Sequence, residues 1–78
     1  MKNMSYEEIK DRVSWGEEFL FYYKNEEYWI SQNNSGRYLT KTAGSVTQEF
    51  QTTEELFENG RIEGKTLLEI WADIQQYF

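Results

Sequence analysis

Among its 78 residues the chain has no cysteine, no histidine and no proline. Without cysteine there is no disulfide staple, no thiol redox chemistry and no thiolate metal ligand. Without histidine the commonest general base is gone, and with it the Ser–His and Cys–His nucleophile arrangements. The five glycines, at 16, 36, 44, 60 and 64, read as isolated turn or cap residues and form no phosphate-cradling loop. No apolar run approaches the roughly 20 residues that span a bilayer, and Met1–Glu8 has no apolar stretch of the secretory type. These absences predict a cytoplasmic protein with no membrane contact, no metal, no cofactor and no catalytic residues.

What is abundant is aromatic mass. Fourteen Phe, Trp and Tyr residues stand in a chain whose net charge is −6. A chain this short buries only roughly 60% of its unfolded surface, so one modest core is the ceiling. Aromatic side chains fill such a core with large areas and little rotamer entropy. With no linker, repeat or low-complexity tract, residues 1–78 are expected to form a single domain. The acidity is uneven: residues 1–18 sum to −2, residues 19–51 are neutral and residues 52–78 carry −4. A charge of this sign opposes a nucleic-acid backbone or an anionic membrane, so no direct nucleic-acid binding is expected.

Local signals divide the chain into an α+β order. Ser5-Tyr6-Glu7-Glu8 is a capping box, and Tyr6, Ile9 and Val13 follow at helical spacing, predicting a helix over about Ser5 to Ser14 that Gly16 closes. Phe19–Lys24 and Glu27–Ser31 are β-favouring runs, read as a hairpin with Asn25-Glu26 as the loop. That register sets Tyr23 opposite Tyr28, Phe21 opposite Ile30 and Tyr22 opposite Trp29. One face then holds Phe19, Phe21, Tyr23, Tyr28 and Ile30, and the other Leu20, Tyr22 and Trp29. Asn33-Asn34-Ser35-Gly36 is a turn signal because Asn and Gly tolerate positive φ. A third strand follows over Arg37–Thr42 in either of two registers: one sets Tyr38 and Thr40 on the Phe21 face, the other sets Leu39 there and turns Tyr38 toward Trp29. Val46–Phe50 reads as a fourth strand at a sheet edge. The pattern is an antiparallel four-stranded meander.

Thr52-Thr53-Glu54-Glu55 is a second capping box, opening a short helix that Asn59-Gly60 ends. From Lys65 to Phe78, Leu67, Ile70, Trp71, Ile74 and Phe78 fall on one stripe, with Leu68 and Tyr77 at its margins. This predicts a C-terminal amphipathic helix packed on the sheet.

Paired carboxylates are the one remaining source of acid–base chemistry. Glu8 and Glu55 belong to capping boxes, Glu7 and Glu54 suit a helix N-terminus, and Glu26-Glu27 flank a turn, so none is assigned a catalytic role. No spaced Asp loop of the calcium-binding type is present. Two surfaces are left for a partner. The strip of Leu20, Tyr22 and Trp29, joined by Tyr38 or Leu39, either lies under the first helix or faces a partner. The acids Glu54, Glu58, Glu63, Glu69 and Asp73 on the last two helices either form a solvated face or imitate phosphates toward a basic groove.

Phe19-Leu20-Phe21-Tyr22 through Tyr28-Trp29-Ile30-Ser31, Gly36-Arg37-Tyr38 and Ile62-Glu63-Gly64-Lys65-Thr66-Leu67-Leu68-Glu69-Ile70-Trp71 together resemble small proteins encoded by phages and prophages of Gram-positive bacteria. The likeness runs from about Gly16 to Ile74 and departs at the hairpin turn, where Asn25-Glu26 replaces the Gly-Lys common in that group. It assigns no functional residues. It implies a phage accessory role of the kind played by inhibitors of host nucleases, CRISPR complexes or restriction complexes. The expectation is therefore a non-enzymatic, anti-CRISPR or anti-restriction type binding module for a protein with a basic surface. The alternatives are an immunity or antitoxin protein neutralising a toxin, or a self-associating protein that forms a homodimer through the sheet face or the Val46–Phe50 edge.

Overall fold

A computed structural model describes residues 4–78; the reading of Met1, Lys2 and Asn3 lies outside the described residues. The chain is α+β. Helix α1 (Tyr6–Ser14) precedes strands β1 (Phe19–Tyr23), β2 (Glu26–Asn33) and β3 (Gly36–Lys41), a single 3₁₀ turn at Ala43–Ser45, and β4 (Val46–Phe50). Helix α2 (Thr53–Asn59), α3 (Trp71–Ile74) and a 3₁₀ turn at Gln75–Tyr77 complete it. The strands pair antiparallel in the order β1-β2-β3-β4, as a meander requires.

Both expected capping boxes start their helices. The Ser5 hydroxyl accepts from the Glu8 amide at 3.1 Å, while the Glu8 carboxylate turns forward to Arg12 at 3.3 Å. Around α2 the box is reciprocal: the Thr52 hydroxyl accepts from the Glu55 amide at 3.1 Å, and the Glu55 carboxylate accepts from the Gln51 amide at 3.0 Å. Each satisfies amides that a helix start leaves without an internal partner. Past α1 the chain reverses through Gly16 at φ +109, a conformation that a residue with a Cβ adopts only with strain.

The first hairpin corrects the expected register. Its loop is Lys24-Asn25, at φ 51 and 67, so Tyr23 pairs with Glu26, Tyr22 with Glu27, Phe21 with Tyr28, Leu20 with Trp29 and Phe19 with Ile30. A two-residue turn with positive φ at both positions matches the right-handed twist of the strands. Asn25 enters that region readily, and the observed loop asks it of Lys24 where a loop of Asn25-Glu26 would ask it of Glu26. The pairing moves by two residues, so the division of side chains between faces survives.

The second turn has a two-residue loop and takes the register with Leu39 on the Phe21 face: Asn33 pairs with Gly36 and Ile30 with Leu39, leaving Asn34-Ser35 as the loop. Leu39 joins the Phe21 face and Tyr38, opposite Ser31, joins the Trp29 face. Positive φ is not used here. The Asn33 carboxamide oxygen accepts from the Ser35 amide at 2.7 Å and the Gly36 amide at 3.2 Å, closing an Asx turn. Gly36 is required by proximity, since a Cβ there would lie 2.6 Å from the Phe50 carbonyl oxygen.

The expected C-terminal helix from Lys65 to Phe78 is largely replaced by tighter turns. Ile62 and Lys65 exchange backbone hydrogen bonds at 2.8 and 3.0 Å across Glu63-Gly64, both at positive φ. A third capping box follows: the Thr66 hydroxyl accepts from the Glu69 amide at 3.1 Å, and the Glu69 carboxylate accepts from the Thr66 amide at 2.8 Å. Bonds from Trp71 to Leu68 and from Asp73 to Ile70 then span three residues, the 3₁₀ spacing. Leu67, Ile70 and Ile74 are buried as the stripe requires, with Trp71 and Phe78 partly buried against the same core and Leu68 and Tyr77 exposed.

The three α-helices pack on one side of the sheet. Ile9 and Val13 of α1, Leu56 and Phe57 of α2, and Leu67, Ile70 and Ile74 share one cluster with Phe21, Tyr28, Ile30 and Leu39. Burying each Leu, Ile or Phe side chain contributes about 1.5–3 kcal/mol. Tyr6 packs edge-on against Phe57 and Trp71 at 5.6 Å each, and Trp71 stacks on Phe78 at 5.2 Å. The layer closes where the Met4 amide donates to the Phe78 carbonyl at 3.3 Å.

Candidate interaction surface

Helix α1 is committed to the Phe21 side, so no helix lies over the other face of the sheet. Strand alternation sends Leu20 and Tyr22 of β1, Glu27, Trp29 and Ser31 of β2, Tyr38 and Thr40 of β3, and Thr47 and Glu49 of β4 to that open face. Leu20 is 51% exposed, Tyr22 40% and Trp29 43%. They interrupt a surface otherwise made of hydroxyls and carboxylates. Register sets Leu20, Trp29, Thr40 and Thr47 in one row across all four strands, and Ser31, Tyr38 and Glu49 in the next.

Local bonds hold this face in shape. The Tyr22 hydroxyl donates to the Glu27 carboxylate at 3.3 Å, the Tyr38 hydroxyl donates to Asn33 at 3.0 Å, and the Thr40 and Thr47 hydroxyls share a hydrogen bond of 3.1 Å. The Glu27 charge holds the Tyr22 phenol pKa above its ordinary value, because a nearby negative charge disfavours the phenolate. Tyr77 reaches round the β1 edge to within 5.6 Å of the Tyr22 ring, bordering a depression of about 290 Å³ that Lys24, Asp73 and Gln76 also line.

The five acids singled out in the sequence do not share a partner-free surface. Glu54 and Glu58 are exposed one turn apart on α2. Glu63 forms an ion pair with Lys24 at 3.3 Å, and Asp73 lines the depression that Lys24 borders. Glu69 is folded back into its capping box. The Thr66 amide, hydrogen-bonded to the Glu69 carboxyl, holds its pKa below the ordinary value, as a bond to the charged form does. Sequence reasoning missed the open-face acids Glu27 and Glu49, although alternation from Trp29 and pairing with Tyr38 mark both. It also missed the Thr66–Glu69 box, which is spelled like the first two. Tyr77 beside Tyr22 carried no sequence signal.

Among the described residues no group of three or more acidic side chains is arranged to hold a metal ion, and no helix is long and apolar enough to cross a membrane. Compared with protein-family models, with curated proteins and with solved structures, the chain matches none.

Proposed function

We propose that this protein is a non-enzymatic binding module that docks a protein partner on the open face of its sheet. The observation that carries the reading is the exposure of Leu20, Tyr22 and Trp29 together on a face with no helix over it. An apolar strip rimmed by hydroxyls and carboxylates has the composition of a contact surface with an apolar centre and a polar rim. On this reading the module works in the cytoplasm. The phage resemblance names one setting for it, blockade of a host defence complex that acts on nucleic acid. In that setting the open face engages the complex, and Glu54 and Glu58 on the opposite layer are bystanders.

Affinity capture from host lysate tests the proposal with three baits: the wild type, Leu20→Ser with Trp29→Ala, and Glu54→Lys with Glu58→Lys. A partner held by the first and third baits and lost by the second is expected. A partner held by the open-face variant and lost by the α2 variant would move the function to the helical layer.

A further inference from the structure

We propose that the open face recognises a cationic segment of its partner, with arginine side chains stacking on Trp29 and Tyr38 and their guanidinium groups received by Glu27 and Glu49. The inference rests on the docking reading above and adds the chemistry of the ligand.

The charge distribution carries the argument. Glu27 and Glu49 both lie on the open face, and among the described residues none of the chain's basic side chains does. Lys41 pairs with Tyr28 and Val46, and Arg37 with Gln32 and Phe50, which places both on the covered side. Arg37 there donates to the Thr53 hydroxyl at 3.2 Å. Lys24 is held by Glu63, Arg12 by Glu8 and Glu17, and Arg61 donates to the Glu58 carbonyl. Lys10 lies over the Tyr6 ring, and Lys65 is bridged to Ile62, whose side chain belongs to the core on the covered side. The Glu49 carboxylate has no hydrogen bond or ion pair among the described residues, and the Glu27 carboxylate has only the Tyr22 hydroxyl.

Aromatic rings beside unpaired carboxylates attract cations, and arginine best of all, because its planar guanidinium stacks on a ring while its edge bonds a carboxylate. Aromatics on an antiparallel sheet also suit base stacking, but a nucleic acid needs cations for its phosphates, and this face has carboxylates instead. A second copy meets the same obstacle. Face-to-face pairing would bring four carboxylates together with no cation between them, in chains of charge −6 each. Strand spacing and rise put Glu27 and Glu49 roughly 17 Å apart across the face. One arginine cannot serve both, so the ligand is a segment with at least two cations.

The test uses the labelled full chain and ten-residue peptides containing four arginines, four lysines or four glutamates in a Gly/Ser background, with argininamide and a ten-nucleotide oligothymidine as further probes. The arginine peptide should shift the Trp29 indole and Tyr38 ring resonances, bind severalfold more tightly than the lysine peptide, and lose on the order of tenfold when salt rises from low to physiological. Argininamide at equal cation concentration should bind far more weakly. Glu27→Gln with Glu49→Gln should weaken the arginine peptide by about fivefold or more, while Glu54→Gln with Glu58→Gln, an equal change in net charge, should cost less than about twofold. Equal losses from the two pairs would overturn the inference, as would preference for the glutamate peptide or the oligonucleotide. If the arginine peptide leaves Trp29 unmoved while a captured partner still depends on Leu20 and Trp29, the cation inference falls and the docking reading stands. If no captured partner depends on those residues, the docking reading itself fails.

Discussion

The two faces of this sheet are built from neighbouring residues of the same strands, yet they have opposite fates. Phe21 is fully buried and Tyr22 is 40% exposed; Trp29 is 43% exposed and Ile30 only 1%. Aromatic content alone therefore does not mark the core. What distinguishes the faces is the company each row keeps. The Phe21 face meets three helical segments, and the Trp29 face meets only the rim residue Tyr77, which packs against Tyr22. A small chain without disulfides has its helices on one side, and the other side stays open.

Truncating the core should produce the sharpest separation of the faces. Phe21→Ala is expected to cost about 3–5 kcal/mol and Ile30→Ala about 2–5 kcal/mol, whereas Trp29→Ala, one residue from Ile30, should cost about 1 kcal/mol or less. Denaturant midpoints at constant slope measure all three. A Trp29 loss as large as that of Ile30 would mean the open face is part of the folding core.

Adding atoms is a milder form of the same contrast. At Gly60 a new Cβ would lie 2.5 Å from the Leu56 carbonyl oxygen and 3.2 Å from the Leu39 side chain, so Gly60→Ala should cost about 1–3 kcal/mol through overpacking. Thr47→Ile on the open face should stay within about 0.5 kcal/mol. Thermal melts of the pair separate the outcomes.

A loss smaller than that at Gly60 lies in the third capping box. Thr66→Ala should cost about 1 kcal/mol, the usual worth of an N-cap hydroxyl. Because the folded-state pKa of Glu69 is lowered, its contribution is present above the ordinary carboxyl pKa and is lost as pH falls through the folded value. The stability difference between wild type and Glu69→Gln should therefore be full near pH 6 and shrink below about pH 4. A difference that stays constant to pH 3 would remove Glu69 from the box.

Much of this was legible in the chain. Alternation from Phe19 to Ile30 divided the faces correctly, and Ser5 and Thr52 announced two helices. The hairpin register was not legible, because Lys24-Asn25 and Asn25-Glu26 differ only in which side chain must take positive φ. The end of the chain misled for a different reason. Leu67, Ile70 and Ile74 bury the same stripe whether the backbone runs as a continuous helix or as successive tight turns, so periodicity did not separate the two. Thr66 and Glu69 did carry the signal that Lys65 lies outside. The open face was visible as an aromatic strip, but that no helix covers it depended on where α1 packs, a tertiary outcome that no local pattern encodes.

The register of the first hairpin has a consequence for how its strands can pair. Which residues face the helices and which face outward is a matter of parity. Sliding β1 against β2 by two residues leaves every strand residue on its own side, while a slide of one exchanges the two sides of one strand. The open face and the core are therefore written in the same even-or-odd code. A slip of two residues between β1 and β2 preserves both surfaces, but a slip of one in β1 would send Phe21 into water and Tyr22 into the interior.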